Sequence, residues 1–197
     1  QYDLFQNGKN ERFINFTKEF KNFIDCRYSI KPKPMQILGY IYAVMYSDIY
    51  RAKYTELLKI DYPRIPFTDD EIKFKKLSKL GEELIECHLF DKLPKNENIN
   101  FCQTTAKHNK NDTVEKVEFV KGKKCLIFIN EFQYFENISE EAFNYTIGGY
   151  EVLNRWLKSR IGRRLSYEEK FEFINICGII NSTIIQIQKI NSVIGDV

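Results

Sequence analysis

The spacing of apolar residues changes period twice along the chain, and that double change limits the possible folds more than any other feature. In residues 11–25, ERFINFTKEFKNFID, Phe13, Phe16, Phe20 and Phe23 recur at intervals of three and four, which sets one apolar stripe on a helix for the core. At 114–120, VEKVEFV, apolar and polar residues alternate instead, as on a strand with one buried face. CLIFIN at 125–130 reads as a more deeply buried strand. Helical spacing then returns: Val152, Leu153, Trp156 and Leu157 share a side, and Phe173, Cys177, Ile180, Ile184 and Ile187 line a further helix. The pattern predicts an α+β fold in which N-terminal helices (1–90) and C-terminal helices (149–190) flank a small central antiparallel β-sheet (114–147). One core serves a chain of 197 residues, so 1–197 is expected to form a single domain.

The breaks between segments follow from residue chemistry. The KPKP run at 31–34 ends the first helix, and 35–59 carries two helical patterns divided near Ser47, whose hydroxyl suits an N-cap. Residues 60–67, IDYPRIPF, cannot be helical because Pro63 and Pro66 force extended geometry on their predecessors; a stiff strap is expected. Thr68 and Glu71 have capping-box spacing and are expected to open a helix to about Phe90, with Leu77, Leu80, Leu84 and His88 on one face. Gly81 within it costs about 1 kcal/mol against Ala, which implies a close backbone approach. Residues 91–113 read as one long loop, GK at 122–123 as a hairpin turn, and FQYFENI and FNYTI as third and fourth strands. A helix from Tyr150 is expected to end at Gly162, and Ser166 with Glu169 to open the last one.

Composition removes several classes of function. Lys and Arg number 30 against 27 Asp and Glu, a net charge of +3, so an anion-binding surface must arise by clustering. Cys26, Cys87, Cys102, Cys125 and Cys177 are scattered and odd in number, which fits reduced thiols and a cytoplasmic location rather than a disulfide frame. His88 and His108 are the only imidazoles, so no metal site is expected. No apolar run approaches the roughly 18 residues of a membrane span, and no membrane partner is expected. GxGxxG, GxxxxGK[ST], HExxH and GxSxG are all absent, and Glu151 at a helix start is accounted for by the dipole. No catalytic residue and no cofactor are therefore expected in this chain. Its start at Gln1 rather than Met suggests a piece of a longer polypeptide.

Two basic segments and one polar stretch remain as candidates for binding. YRAKYTELLKIDYPR at 50–64 interleaves tyrosines with Arg51, Lys53, Lys59 and Arg64, and Arg51 and Lys59 fall eight apart, near one helical face. Such cations suit phosphate oxygens, while Glu56 and Asp61 would equally make the segment a self-neutralised, solvated face. In NYTIGGYEVLNRWLKSRIGRRLS at 144–166, Gly148 and Gly149 permit a sharp turn and Trp156 shares the apolar side of its helix. Lys158, Arg160, Arg163 and Arg164 then cluster where a helix dipole favours cations in any case, so the cluster is either internal or a phosphate site. The stretch QTTAKHNKNDT at 103–113 offers Gln103, Lys107, His108, Asn109 and Lys110, groups that pair with base edges or simply coat a solvated loop.

Three blocks, ILGYIYAVMYSDIYRAKYTELLKIDYPRIPF (37–67), LGEELIECHLF (80–90) and TIGGYEVLNRWLKSRIGRRLS (146–166), resemble the C-terminal target-recognition domain of Type ISP and Type IIG single-polypeptide restriction-modification enzymes. NFTKEF near the start looks like the segment that precedes the first block. The departures, Met45-Tyr46, Tyr62 and Ile161, leave the cations untouched. The resemblance implies a module that recognises double-stranded DNA for an adenine-specific DNA methyltransferase domain of the same polypeptide. That parent would use S-adenosylmethionine, and Mg for restriction endonuclease cleavage. The resemblance makes the blocks scaffold and phosphate anchors, which assigns Arg51, Lys53, Lys59, Arg64, Lys158, Arg160, Arg163 and Arg164 to phosphates. It also implies that sequence choice is set in the variable stretch 91–145; within that stretch side-chain chemistry alone, with no family motif, names Gln103, Lys107, His108, Asn109 and Lys110 as candidate base readers. A helical protein-interaction module of a larger assembly is the alternative.

Overall fold

Thr17 accepts the Phe20 amide at 3.1 Å and so opens helix α1 (Lys18–Arg27) in the computed structural model, which describes residues 15–90, 98–104 and 112–195. Phe13 of the expected stripe lies outside those residues. Phe16 and Phe20 are partly buried, whereas Phe23 is 43% exposed, with the Arg27 guanidinium 5.0 Å from its ring centroid. The buried position of α1 is Ile24, so the stripe is only partly core. Helices α2 (Pro34–Tyr46) and α3 (Asp48–Lys53) meet at Ser47, whose hydroxyl accepts the Tyr50 amide, as expected of an N-cap. A single 3-10 turn follows at Leu57–Lys59.

Helix α4 (Glu71–His88) is capped by Asp70 rather than Thr68. The Asp70 carboxylate accepts the Ile72 and Lys73 amides at 2.8 and 3.1 Å, a charge-assisted cap that a hydroxyl two residues earlier cannot match. Thr68 instead accepts the Asp70 amide, and Glu71 turns to the Ser29 amide and hydroxyl. Where α2 crosses α4, Gly39 and Gly81 bring the two backbones together: a Cβ on Gly81 would lie 1.8 Å from the Gly39 carbonyl oxygen. This is the close approach that a glycine inside a helix implied.

The strap joining these helices is held by its carbonyls, because its two prolines have no N–H to offer. The oxygens of Arg64, Pro66 and Thr68 accept the hydroxyls of Tyr50, Tyr40 and Tyr28 at 3.0, 2.7 and 2.8 Å. Each tyrosine comes from a different part of the helical layer, so the strap is laced across it.

Antiparallel strands β1 (Asn100–Gln103), β2 (Glu118–Val120), β3 (Leu126–Phe128) and β4 (Gln133–Glu136) form one sheet in the order β1-β4-β3-β2. The expected hairpin and third strand are present. Strand β1 lies inside the stretch expected to be loop, because NFCQ gains its ladder and the Phe101–Phe135 contact only from β4. The expected fourth strand is displaced: after helix α5 (Glu140–Phe143), β5 (Thr146–Ile147) pairs with β6 (Tyr150–Glu151) as a separate hairpin. Its two-residue turn is Gly148-Gly149 at φ +57° and +82°, the left-handed pair that a type I′ turn demands. Helix α6 (Val152–Lys158) therefore begins two residues past Tyr150, and Gly162, φ +87°, lies in the turn beyond it.

Ser166 and Glu169 form the expected capping box, each accepting the other's amide, and open α7 (Tyr167–Ile194). Its 28 residues extend about 42 Å and serve two cores. Phe173, Cys177 and Ile180 pack with Ile127, Phe135, Leu153 and Leu157; Ile190 and Ile194 pack with Tyr50, Phe74, Leu77 and Leu84. Between the cores His88 links three helices: Tyr42 Oη is 2.7 Å from Nδ1, and Nε2 is 2.9 Å from Thr183 Oγ1. Thr183 donates to the Ile179 carbonyl, which makes its oxygen an acceptor for Nε2–H and leaves Nδ1 to accept from Tyr42. Among the described residues no helix is long and apolar enough to cross a membrane.

Candidate nucleic-acid interface

The polar stretch 103–113 is rooted on the C-terminal basic cluster. On its near side Gln103 pairs with Gln133 in the sheet, and the Thr104 amide donates to the Phe132 carbonyl at 2.8 Å. On its far side the backbone is stitched to residues 161–165. Leu165 N donates to Asp112 O at 2.9 Å, Val114 N to Arg163 O at 3.0 Å, and Gly162 N to Val114 O at 2.8 Å. Thr113 and Arg164 form an isolated β-bridge. Gln103 is exposed on β1, while Lys107, His108, Asn109 and Lys110 lie outside the described residues.

A buried polar network fixes that root. Gln133 Nε2 donates to Asp112 Oδ1 at 2.8 Å, and Asn130 Nδ2 donates to Gln133 Oε1 at 2.9 Å and to Thr113 O at 3.1 Å. Lys170 pairs with Asp112 Oδ2 at 2.9 Å, its ammonium 4.5 Å from the Phe101 ring centroid. Burial pushes the Asp112 pKa up, but hydrogen bonds from Lys170 and Gln133 outweigh it and hold the carboxyl below its ordinary value. A low-dielectric network of this kind is costly to leave half satisfied, so it holds Asp112 and Thr113 in one geometry. Sequence reading missed all four residues. The available signal was Asn130 and Gln133 interrupting an otherwise apolar strand run, because polar groups buried there must find partners.

Glu169 gathers the neighbouring cations. Arg163 donates to both its oxygens at 2.6 and 3.0 Å, Arg160 Nε to Oε1 at 3.2 Å, and the Ser166 amide to Oε2 at 3.1 Å. The Arg163 hydrogen bonds, opposed by burial and helped by Ser166 and Arg160, pull its pKa down to about 2. Arg160 is an internal part: its guanidinium lies 3.4 Å from the Trp156 ring centroid, donates to the Trp156 carbonyl at 2.9 Å, and its side chain is 17% exposed. Trp156 also packs on Phe173, 5.1 Å between centroids, which places it in the core as its helical spacing suggests. The Arg163 side chain remains 52% exposed, and Arg164 and Lys158 are exposed.

The other basic segment takes the pairings that its own acids allow. Lys59 binds Glu56 at 2.7 Å and Arg64 binds Asp61 at 3.4 Å. Arg51 donates to the Met45 carbonyl at 2.8 Å with its guanidinium 5.1 Å from the Tyr46 ring centroid, and Lys53 lies 5.6 Å from that of Tyr54. Because α3 ends at Lys53, Arg51 and Lys59 do not share a helical face, contrary to the spacing argument. The Tyr50 hydroxyl is buried on the strap and is not offered outward. The exposed ion pairs are worth about 0–1 kcal/mol.

The two cation groups lie toward opposite ends of α7. Ser47 and Asp48, at the start of α3, bond Asn191, whereas Arg160 and Arg163 bond Glu169, 22 residues earlier and about 33 Å away along the helix. That distance is about one turn of duplex DNA. The eight cations thus form two groups, and only the C-terminal one adjoins the root of 103–113.

Comparison with known proteins gives this arrangement a family. The family model for the Type ISP C-terminal specificity domain matches residues 1–179. The ATP-dependent Type ISP restriction-modification enzyme LlaBIII, solved bound to DNA, shares the fold with a TM-score of 0.65 and 20% identity, covering 99% of this chain and 13% of that one. The cryo-electron microscopy structure of a DrdV–DNA complex aligns with a TM-score of 0.69 and 20% identity over 92% of this chain and 20% of its own. A nuclease-deletion mutant of the Type ISP enzyme LlaGI, in complex with a DNA substrate mimic, aligns with a TM-score of 0.58 and 21% identity over 83% and 14%. This chain therefore spans a fifth or less of those polypeptides. No curated protein sequence matches significantly. With nine-tenths of its length matched, the chain belongs to the family of Type ISP C-terminal specificity domains.

Proposed function

We propose that this chain reads duplex DNA sequence for a single-polypeptide restriction-modification enzyme, and that its parent is an adenine-specific methyltransferase using S-adenosylmethionine, with Mg-dependent cleavage elsewhere in the polypeptide. One observation carries the reading: the residues flanking 105–111 are fixed by backbone bonds, Thr104 to the sheet and Asp112–Val114 directly to the basic segment 161–165, with Asp112 also held by a polar network. Thr113 and Val114, on the C-terminal flank of that stretch, thereby lie beside cations able to hold phosphates, and side chains able to pair with base edges adjoin them in sequence, the two kinds of group that sequence-specific binding needs. Arg163, Arg164 and Lys158 are the phosphate anchors nearest the stretch; Arg51, Lys53, Lys59 and Arg64 form a second set about one duplex turn away. Arg160 acts through Glu169 and Trp156 rather than on DNA.

The experiment is to replace 105–111 in the full polypeptide with the equivalent segment of a relative of different specificity. The recognised word should follow the segment while the salt dependence of binding stays the same. An unchanged word would remove base reading from this stretch. A second reading, a protein-interaction module, draws on Leu57, Ile60 and Tyr62, which stand 57%, 81% and 90% exposed around the strap. It requires that substitutions at these three residues abolish assembly with the remaining polypeptide without touching the DNA word.

A further inference from the structure

Between the β5–β6 hairpin and α6 lies an open groove of about 680 Å³, lined by Thr146, Gly149, Tyr150, Asn154, Arg155 and Lys158 among others. Its two cations differ from four of the other basic side chains expected to meet phosphate. Lys59, Arg64, Arg160 and Arg163 each face a carboxylate, whereas neither Arg155 nor Lys158 makes an ion pair among the described residues. The one acid in the groove, Glu151, is engaged by Asn154 Nδ2 at 2.6 Å. Arg155 and Lys158 stand three positions apart on α6, and so on one face, both exposed.

Arg155 is also held in place. Its guanidinium lies 4.1 Å from the centroid of the Tyr150 ring, which keeps a long side chain over the hairpin while its donors stay exposed. A guanidinium fixed before binding loses less side-chain freedom when it meets an anion. Gly149 leaves the hairpin side of the groove clear, since a Cβ there would meet nothing within 4 Å. Thr146 contributes an exposed hydroxyl, a neutral donor of the type that accompanies cations on phosphates.

We propose that this groove binds the phosphodiester backbone of duplex DNA, with Arg155 and Lys158 as the contacting cations and Tyr150 as the residue that positions Arg155. The inference rests on the reading of the chain as a DNA-recognition module; it joins Lys158, already marked by basic clustering, to Arg155 and Tyr150, which that clustering did not mark because Arg155 sits upstream of the cluster and Tyr150 is uncharged.

The test is the salt dependence of duplex binding by the full polypeptide, measured for wild type and for Arg155→Ala, Lys158→Ala, Tyr150→Leu and Tyr150→Phe. Each Ala variant should lower the slope of log K against log salt by about 0.9, and the double variant by about 1.8, which is roughly eightfold in affinity per residue at 0.1 M salt. Tyr150→Leu should lose part of the Arg155 contribution and Tyr150→Phe should restore it, because the ring face and not the hydroxyl holds the guanidinium. Preference among target words should not change. If wild type binds its word and the Ala variants keep its slope, the groove assignment is wrong and the functional reading survives. If wild type shows no sequence-dependent binding, both fall. Far-ultraviolet circular dichroism and an unchanged melting profile confirm that each variant is folded.

Discussion

Replacing Gly81 with Ala isolates the helix crossing on which the N-terminal core is built. The added methyl would lie 1.8 Å from the Gly39 carbonyl oxygen, where ordinary contact begins at 3.4 Å. Backbone has to give way by roughly 1.5 Å, because no side-chain rotation relieves a clash with a carbonyl. Overpacking of this kind costs about 1–3 kcal/mol, and the obstacle being main chain puts it at the upper end. Against that, Ala gains about 1 kcal/mol in helix propensity. The net expectation is a loss of about 2 kcal/mol, which for a domain of this size lowers Tm by roughly 4–8 °C. The assay is thermal unfolding followed by circular dichroism, with Lys79→Ala, exposed on the same helix, as a control that should stay within about 0.5 kcal/mol. A Gly81→Ala protein as stable as wild type, or more stable, would show that the glycine pair does not set the spacing of α2 and α4.

Two titrations and a turn provide further checks. Glu169 has a lowered pKa, so its contribution is complete above the unfolded-state value near 4.3 and is lost as pH falls toward about 2; denaturant unfolding should show Glu169→Gln with a flatter acid limb. Burial lowers the His88 pKa, so the unfolded chain takes up the proton first. Stability should decline as pH falls below the ordinary value of about 6.5, and His88→Leu should flatten that decline while costing about 1–3 kcal/mol at neutral pH through the stranded Tyr42 and Thr183 groups. Gly149→Ala should destabilise by about 1–2 kcal/mol from its left-handed backbone alone, with Gly149→Asn costing less in the same melt.

Features decided within one helical turn were legible in the sequence. Ser47 as a cap, the Ser166–Glu169 box and the Gly148-Gly149 turn each depend on neighbours three or fewer residues away. Asp70 shows how the same logic fails: two side chains able to cap lay within three residues, and the carboxylate won by accepting two amides at once. Strand β1 was hidden because its partner, Gln133–Glu136, lies 30 to 36 residues away in register and its own four residues carry no strong alternation. The candidate site divides in the same manner. The cations could be named from clustering and from the family blocks, and so could Glu56 and Asp61, the local partners of Lys59 and Arg64, but not the partners of the C-terminal cluster. Arg160 turns inward because Trp156 and Glu169 flank it in space, while Arg155 lies over the Tyr150 ring and makes no ion pair among the described residues. The network of Asn130, Gln133, Asp112 and Lys170 was not foreseen, since its members come from three separate elements.

Binding of the full polypeptide to a set of duplexes, each changed at one base pair of the recognised word, separates reading from anchoring. Alanine substitutions at Lys107, His108, Asn109 and Lys110 should each relax discrimination at one base pair by about 1–3 kcal/mol. Arg163→Ala and Arg164→Ala should weaken every duplex alike and reduce the salt slope by about 0.9 each. If the 107–110 variants weaken all duplexes uniformly, or the arginine variants change which base pair is preferred, then that stretch does not read or the cluster does not merely anchor.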